Sequence, residues 1–310
     1  MKVRFIFLFF LCVCTVKVFT YPFENQEYVY TGYYDDMTGP GFKMVFKNGK
    51  LELDIPEFDL VKNEEGVFIA RTLSEPYSLE LYKDFLFLQT KTRRFMVLYF
   101  QNLICVLIDC KTGDTLWGLR RDSSYVRLPK APRWKDLWIG IDDVSLSFTG
   151  FSSVLKETLN NTPVVYNGKS KFYLQIGNPW VPTGGKNGIG EWVEKKIGRE
   201  TQELVIVNGF VKADSPDWYY NNARLKTIIV KTKQGAWPFL LNDSPHPQVI
   251  TLPKSVTGTI RVIVKDVYPG SKYKDVCLGG VYMLYEAPEL SMVAPANGIL
   301  ARGYMYIRSR

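Results

Sequence analysis

A single histidine, His246, serves the whole 310-residue chain, and that scarcity removes most of the catalytic repertoire. A Ser, His and Asp triad would have to use it. Its surroundings, Ser244-Pro245-His246-Pro247, read as a rigid exposed turn with no nucleophile elbow nearby. Metal centres built on clustered His and Cys are excluded by count, and no Cys spacing matches a zinc site. No Gly-rich phosphate loop precedes a helical pattern. Glu191 and Asp217 are carboxylates without a hydrolase motif around them. Basic blocks are also missing: the 39 Lys and Arg against 31 Asp and Glu give a net charge of +8, scattered along the chain, which argues against nucleic-acid binding. A positive surface still suits anionic glycans or membrane faces, with an attraction that salt weakens. The expectation is a protein that is not an enzyme and has no resident cofactor. The one metal kept open is a structural calcium on oxygen ligands, at Asp142-Asp143 or Asn242-Asp243, although neither pair lies in a loop signature.

Long apolar runs are confined to the N-terminus. Lys2 and Arg4 precede an apolar run over residues 5–16, followed by Lys17, which is the order of a secretory leader. The run is too short for a transmembrane helix of about 20 residues, and no later stretch approaches that length. Residues 1–20 are therefore expected to be a signal peptide, placing the chain in the periplasm, on the outer surface or outside the cell. Cys12 and Cys14 follow Leu11 and Val13 and not the small residue a lipidation site carries, so plain cleavage is preferred to a lipid anchor. Without the leader, Cys105, Cys110 and Cys277 remain, an odd number that cannot close a disulfide framework. Buried free thiols are expected.

What is abundant is strand grammar. The composition is 46% hydrophobic and 15% aromatic, that of a globular chain, and its length exceeds what a single core of up to roughly 250–300 residues usually serves. Strands are expected at residues 42–46, 51–55, 67–70, 78–82, 85–90, 95–100, 104–109 and 115–119, joined by tight turns such as Lys47-Asn48-Gly49-Lys50 and Lys111-Thr112-Gly113-Asp114. This predicts an antiparallel meander that curls into a small barrel or sandwich. A Pro-rich basic segment at 129–134 and a polar connection at 142–151 place a boundary near residue 150. Beyond it, strands are expected at 172–176, 190–196, 203–208, 224–232, 234–241, 248–252, 258–267 and 280–285, with long loops at 178–187 and 210–222. The reading is all-β: a β domain over 21–150, a sandwich over 151–288 and a C-terminal tail over 289–310.

The second half carries Gly188-Ile189-Gly190-Glu191-Trp192, then Val207-Asn208-Gly209-Phe210-Val211-Lys212, then Trp218-Tyr219-Tyr220-Asn221-Asn222-Ala223-Arg224-Leu225-Lys226. Val267-Tyr268-Pro269-Gly270-Ser271-Lys272-Tyr273-Lys274-Asp275 and Val276-Cys277-Leu278 follow. In order and spacing these segments, over residues 153–286, resemble the NADase-type glycan-binding domain, a discoidin-like (F5/8 type C) jelly roll found in exported bacterial proteins. The resemblance implies a β-sandwich and glycan binding in the cell envelope. NAD hydrolysis is not implied, because in the family's namesake it belongs to a separate domain.

Physical reasons support parts of the pattern. Tyr268-Pro269-Gly270 reads as a type II turn. Trp180, Trp218, Tyr219 and Tyr220 fall on expected loops, where flat rings could pack on a sugar while Asn221, Asn222 and Arg224 bond its hydroxyls. Those seven are the expected glycan contacts, weighed against a role in closing the ends of the sandwich. Trp192, within a strand pattern, reads as core. The family's acidic stretch after the first Trp is replaced here by Val181-Pro182-Thr183-Gly184-Gly185, and its Ser-Glu pair after the Cys by Gly279-Gly280. Those departures favour the alternative of a structural or protein-interaction element with an envelope protein as partner.

Overall fold

The computed structural model describes residues 21–30, 42–55, 71–101, 104–120, 137–140, 148–168, 176–183 and 186–286. The leader, the tail at 289–310, Asp142-Asp143 and the strand expected at 67–70 lie outside the described residues, as does all but the last residue of the one expected at 172–176.

Eight strands close into an antiparallel barrel in simple chain order: β1 (Glu27–Tyr30), β2 (Phe42–Lys47), β3 (Lys50–Ile55), β4 (Arg71–Tyr82), β5 (Phe85–Thr90), β6 (Arg94–Phe100), β7 (Ile104–Asp109) and β8 (Thr115–Arg120). β8 returns to pair with β1, with Val29 opposite Leu119. The meander expected from the sequence therefore closes fully, which removes the exposed edges an open sheet would have. Asn48 (φ 52°) and Gly49 (φ 71°) both take positive φ in the two-residue connection of β2 to β3, as a type I′ turn requires.

The barrel interior is filled by Met44, Phe46, Leu51, Leu53, Leu86, Leu88, Phe95, Val97, Cys105 and Leu107, with Phe23 and Tyr28 closing it. The outer surface differs around the circumference. On β2 to β4 the outward positions are exposed and mostly polar, with Lys47, Glu52, Ser74, Ser78 and Glu80 among them, so these strands alternate. On β5 to β7 both faces are buried. Phe85, Phe87, Met96, Leu98, Ile104, Val106 and Ile108 point away from the barrel interior and form a second cluster with Trp117 of β8. That is why Phe85-Leu86-Phe87-Leu88, Phe95-Met96-Val97-Leu98 and Ile104-Cys105-Val106-Leu107-Ile108 read as continuous apolar runs: a strand covered on both sides has no solvent face to alternate with.

The cover is the second unit. After β9 (Leu137–Gly140), β10 (Gly150–Phe151) and an exposed hairpin of β11 (Lys156–Leu159) and β12 (Thr162–Val165), its main strands are β13 (Trp192–Asn208), β14 (Ala223–Thr232), β15 (Gly235–Leu240), β16 (Gln248–Tyr268) and β17 (Val276–Glu286). β13 pairs with both β16 and β17, and β14 pairs with both as well, so the sheet curls back on itself around an apolar core. Trp180, Leu204, Ile206, Leu225, Ile228 and Ile260 sit in that core. On the other face of β13, Val205 and Val207 pack with Tyr282 of β17, and with Val211, Ala213 and Tyr219, against the outward face of β5 to β8. Trp117 and Tyr282 rings meet at 4.7 Å.

Two expectations need correction. The strands expected at 190–196 and 203–208 are one strand, β13, and those at 248–252 and 258–267 are one strand, β16. Register shifts between Ile197 and Thr201 and between Thr201 and Glu203 absorb the break in pattern without ending the ladder. The turn at Tyr268-Pro269-Gly270 is not type II, since Gly270 has no positive φ. A Cβ there would lie 2.5 Å from the Asn221 carbonyl oxygen and 2.3 Å from that of Tyr273, so glycine is required by the close approach of two loops.

Because β5 to β7 belong to both cores, Leu98→Ala is expected to cost about 2–5 kcal/mol and to lower the stability of both units in one transition. Denaturant unfolding followed by near- and far-UV circular dichroism checks this; two separated transitions would contradict it.

Candidate functional site

The segment between β13 and β14 makes the end of the jelly roll that meets the barrel. It holds one short helix, α1 (Asp217–Asn221), within the loop expected at 210–222. Five residues give too little periodicity to register against the turn signals around them. Pro216 precedes the helix, and the Asn222 amide closes it by donating to the Trp218 carbonyl at 3.3 Å.

This helix separates the expected ligand residues into three fates. Trp180 is 0% exposed in the jelly-roll core, with its Nε1–H donating to the Ser153 carbonyl at 2.9 Å and its backbone bridged to Leu278. As placed, it has no face for a ligand. Tyr219 is also fully buried: its hydroxyl donates to Asp243 at 3.0 Å, and its ring meets Phe85 of β5 edge to face at 5.8 Å. Burial, and then the adjacent Asp243 carboxylate, hold its phenol protonated well above the usual tyrosine range. Asn222 and Arg224 are buried as well. Asn222 donates to the Trp218 carbonyl at 2.8 Å, and Arg224 forks onto Asp243.

Tyr220 is consumed by the barrel. Its hydroxyl donates to the Asp84 carboxylate and accepts from the Asp84 amide, both at 3.0 Å, and its ring lies under the Lys83 ammonium at 4.6 Å. Burial pushes its pKa up to about 12. The same barrel turn places Lys83 Nζ 2.6 Å from Asp217, which also accepts the Tyr82 hydroxyl at 3.0 Å. The direct hydrogen bond between them raises the lysine and lowers the carboxyl. This exposed pair orients the turn more than it stabilises the fold.

Trp218 and Asn221 alone remain at the surface with groups to offer. Trp218 is 36% exposed, propped edge to face on Phe210 at 4.8 Å, with Lys212 5.8 Å from its ring centre. The Asn221 carbonyl accepts the amides of Lys272 and Tyr273, and its Oδ1 accepts from the Ser271 hydroxyl, leaving its amide N–H groups unspent. The loop so tethered carries Tyr273, 51% exposed, alongside the solvent-facing Lys272 and Lys274. Nothing in the sequence pattern marks Tyr273 as a site residue: Pro269-Gly270 signals only a turn, and the bonds that bring the loop to α1 are mostly between backbones distant in the chain.

Other candidates resolve differently. Asp243 of the Asn242-Asp243 calcium candidate is occupied by Arg224 and Tyr219, and no group of three or more potential ligands occurs among the described residues. Trp192 is half-buried and not core: its indole lies under the Arg261 guanidinium at 3.9 Å, itself held by Glu194 at 2.6 Å. Cys105 and Cys277 are buried free thiols, and Cys110 is half-buried at the edge of the shared cluster.

His246 is not on an exposed turn. Its ring packs on Tyr99 of β6 at 4.3 Å, and its Nδ1 accepts the Tyr99 amide at 3.4 Å, which assigns the proton to Nε2. Burial lowers its pKa to about 4. The unfolded chain takes up this proton near pH 6.5 and the folded one only near 4, so stability falls as pH drops through that window, by about 3 kcal/mol at most. His246→Gln, which can accept the same bond without titrating, is expected to flatten the dependence between pH 6.5 and 4; an unchanged slope in urea midpoints would contradict it.

No curated protein matches the chain. Among solved structures, 54% of it aligns with an arabinofuranosyltransferase from mycobacteria, AftD, at 14% identity and a TM-score of 0.32; the aligned part spans 13% of that protein's length. No helix among the described residues is long and apolar enough to cross a membrane. Residues 147–284 match the NAD glycohydrolase translocation F5/8 type C domain, and the C-terminal half of this chain is a discoidin-like domain of that family.

Proposed function

We propose that this is an exported, non-catalytic binding protein whose discoidin-like domain recognises a glycan at the rim formed by Trp218, Asn221 and Tyr273. The observation that carries the reading is the division of labour at α1: of the seven ligand residues expected from the sequence, packing and the barrel occupy five, while Trp218 and Asn221 keep exposed surface and, with Tyr273, unspent polar groups. An aromatic surface beside amide donors suits a sugar ring, whose C–H face stacks and whose hydroxyls bond. The family match supports the choice of domain, and the scarcity of histidine supports the absence of catalysis.

A structural or protein-interaction role is the second reading. The barrel turn Tyr82-Lys83-Asp84 already engages Asp217 and Tyr220 beside the rim, so this end of the jelly roll accepts a protein surface.

A glycan array probed with residues 21–310, repeated at raised salt and with a chelator, tests the proposal. Binding to a defined sugar set is expected, unaffected by chelator and weakened at least tenfold, about 1.4 kcal/mol, by Trp218→Ala with the fold retained. A blank array from folded protein would transfer the assignment to the protein-interaction reading.

A further inference from the structure

Three loops converge behind the rim, and one side chain touches all of them. Arg224, at the start of β14, is 7% exposed. Its Nε and Nη2 donate to the two carboxylate oxygens of Asp243 at 3.0 and 2.6 Å, securing the loop that carries His246 to the barrel. Its Nη1 donates to the carbonyls of Asn222 at 3.0 Å and Pro269 at 2.9 Å, with Tyr220 at 3.4 Å. Those carbonyls belong to the end of α1 and to the turn leading to Tyr273. Space around the arginine is closed: a Cβ on Gly209 would stand 2.9 Å from Arg224 Cγ and 2.6 Å from the Tyr219 ring.

We infer that Arg224 is the positioning residue of the rim, fixing the separation of Trp218 and Asn221 from Tyr273 without itself meeting a ligand. This rests on the proposed glycan reading and replaces the direct-contact role expected from the sequence. A planar fork with several fixed donors can satisfy a carboxylate and divergent carbonyls together; a lysine ammonium, a point charge on a flexible stem, cannot. Other bonds also join the two loops: the Ser271, Lys272 and Tyr273 amides donate to the Tyr220 and Asn221 carbonyls, the Ser271 hydroxyl to Asn221 Oδ1 and the Ala223 amide to the Asp275 carbonyl, but Arg224 alone among these groups also reaches the Asp243 loop.

Hydrogen exchange on the full chain, comparing wild type with Arg224→Lys, separates positioning from general support. The expected result is exchange at least about tenfold faster in residues 217–222 and 269–275, with β13 and β16 unchanged, and a glycan affinity reduced at least as far as by Trp218→Ala. Faster exchange spread evenly over the sheet would mean a general stabilising role and overturn the inference. So would unchanged exchange in the two loops. If Arg224→Lys does not fold, Asp243→Asn, which removes the charged anchor of the fork, is read by the same pattern. A wild-type chain that binds no sugar removes the glycan reading alone, because the exchange pattern tests the loop geometry without any ligand.

Discussion

The structure depends on one apolar contact: the outward face of β5 to β8 packed against β13, β17 and the segment after β13. Phe85, Phe87, Met96, Leu98, Ile104, Val106 and Ile108 would otherwise stand on the outside of a closed barrel as a contiguous apolar patch, the kind of surface that marks an interface. Covering them joins two β units that could each be drawn as a domain through one apolar cluster to which both contribute. Leu, Ile and Phe side chains buried in this way each contribute about 1.5–3 kcal/mol, so the contact outweighs the exposed Lys83 and Asp217 pair at its edge.

That contact also decides which residues are left for recognition. Once the barrel is seated, Tyr219 lies against Phe85 and Tyr220 bonds Asp84, so aromatic rings that look like a binding surface in the sequence are packing surface in the fold. His246 follows the same logic, held neutral by burial on Tyr99. The rim of Trp218, Asn221 and Tyr273 is what remains outside this contact, and Arg224 holds its two loops in register from within.

Much of the architecture was legible in the sequence, for identifiable reasons. The period-two alternation of β2 to β4 and the Asn48-Gly49 turn announce an antiparallel meander, and the succession from Gly188 to Leu278 announces the discoidin-like domain. The doubly apolar runs of β5 to β7 already held the information that something covers the barrel, but a run apolar on both faces does not name its cover. The continuity of β13 and β16 was hidden because a bulge looks like a loop when only side-chain pattern is read. Individual site residues were least legible: burial of Trp180 and Arg224 is set by contacts with Leu278, Asp243 and Pro269, distant in the chain, and the loop of Tyr273 is brought to α1 by bonds to Asn221 that lie about 50 residues apart in sequence.

Native-state hydrogen exchange on the intact chain over a denaturant series shows whether barrel and jelly roll share one apolar cluster through β5 to β7. The slowest amides of β5, β6 and β7 and those of β13 and β17 are expected to converge on the same opening free energy and the same denaturant slope. Barrel strands that open at a separate, lower free energy while β13 and β17 stay protected would contradict it.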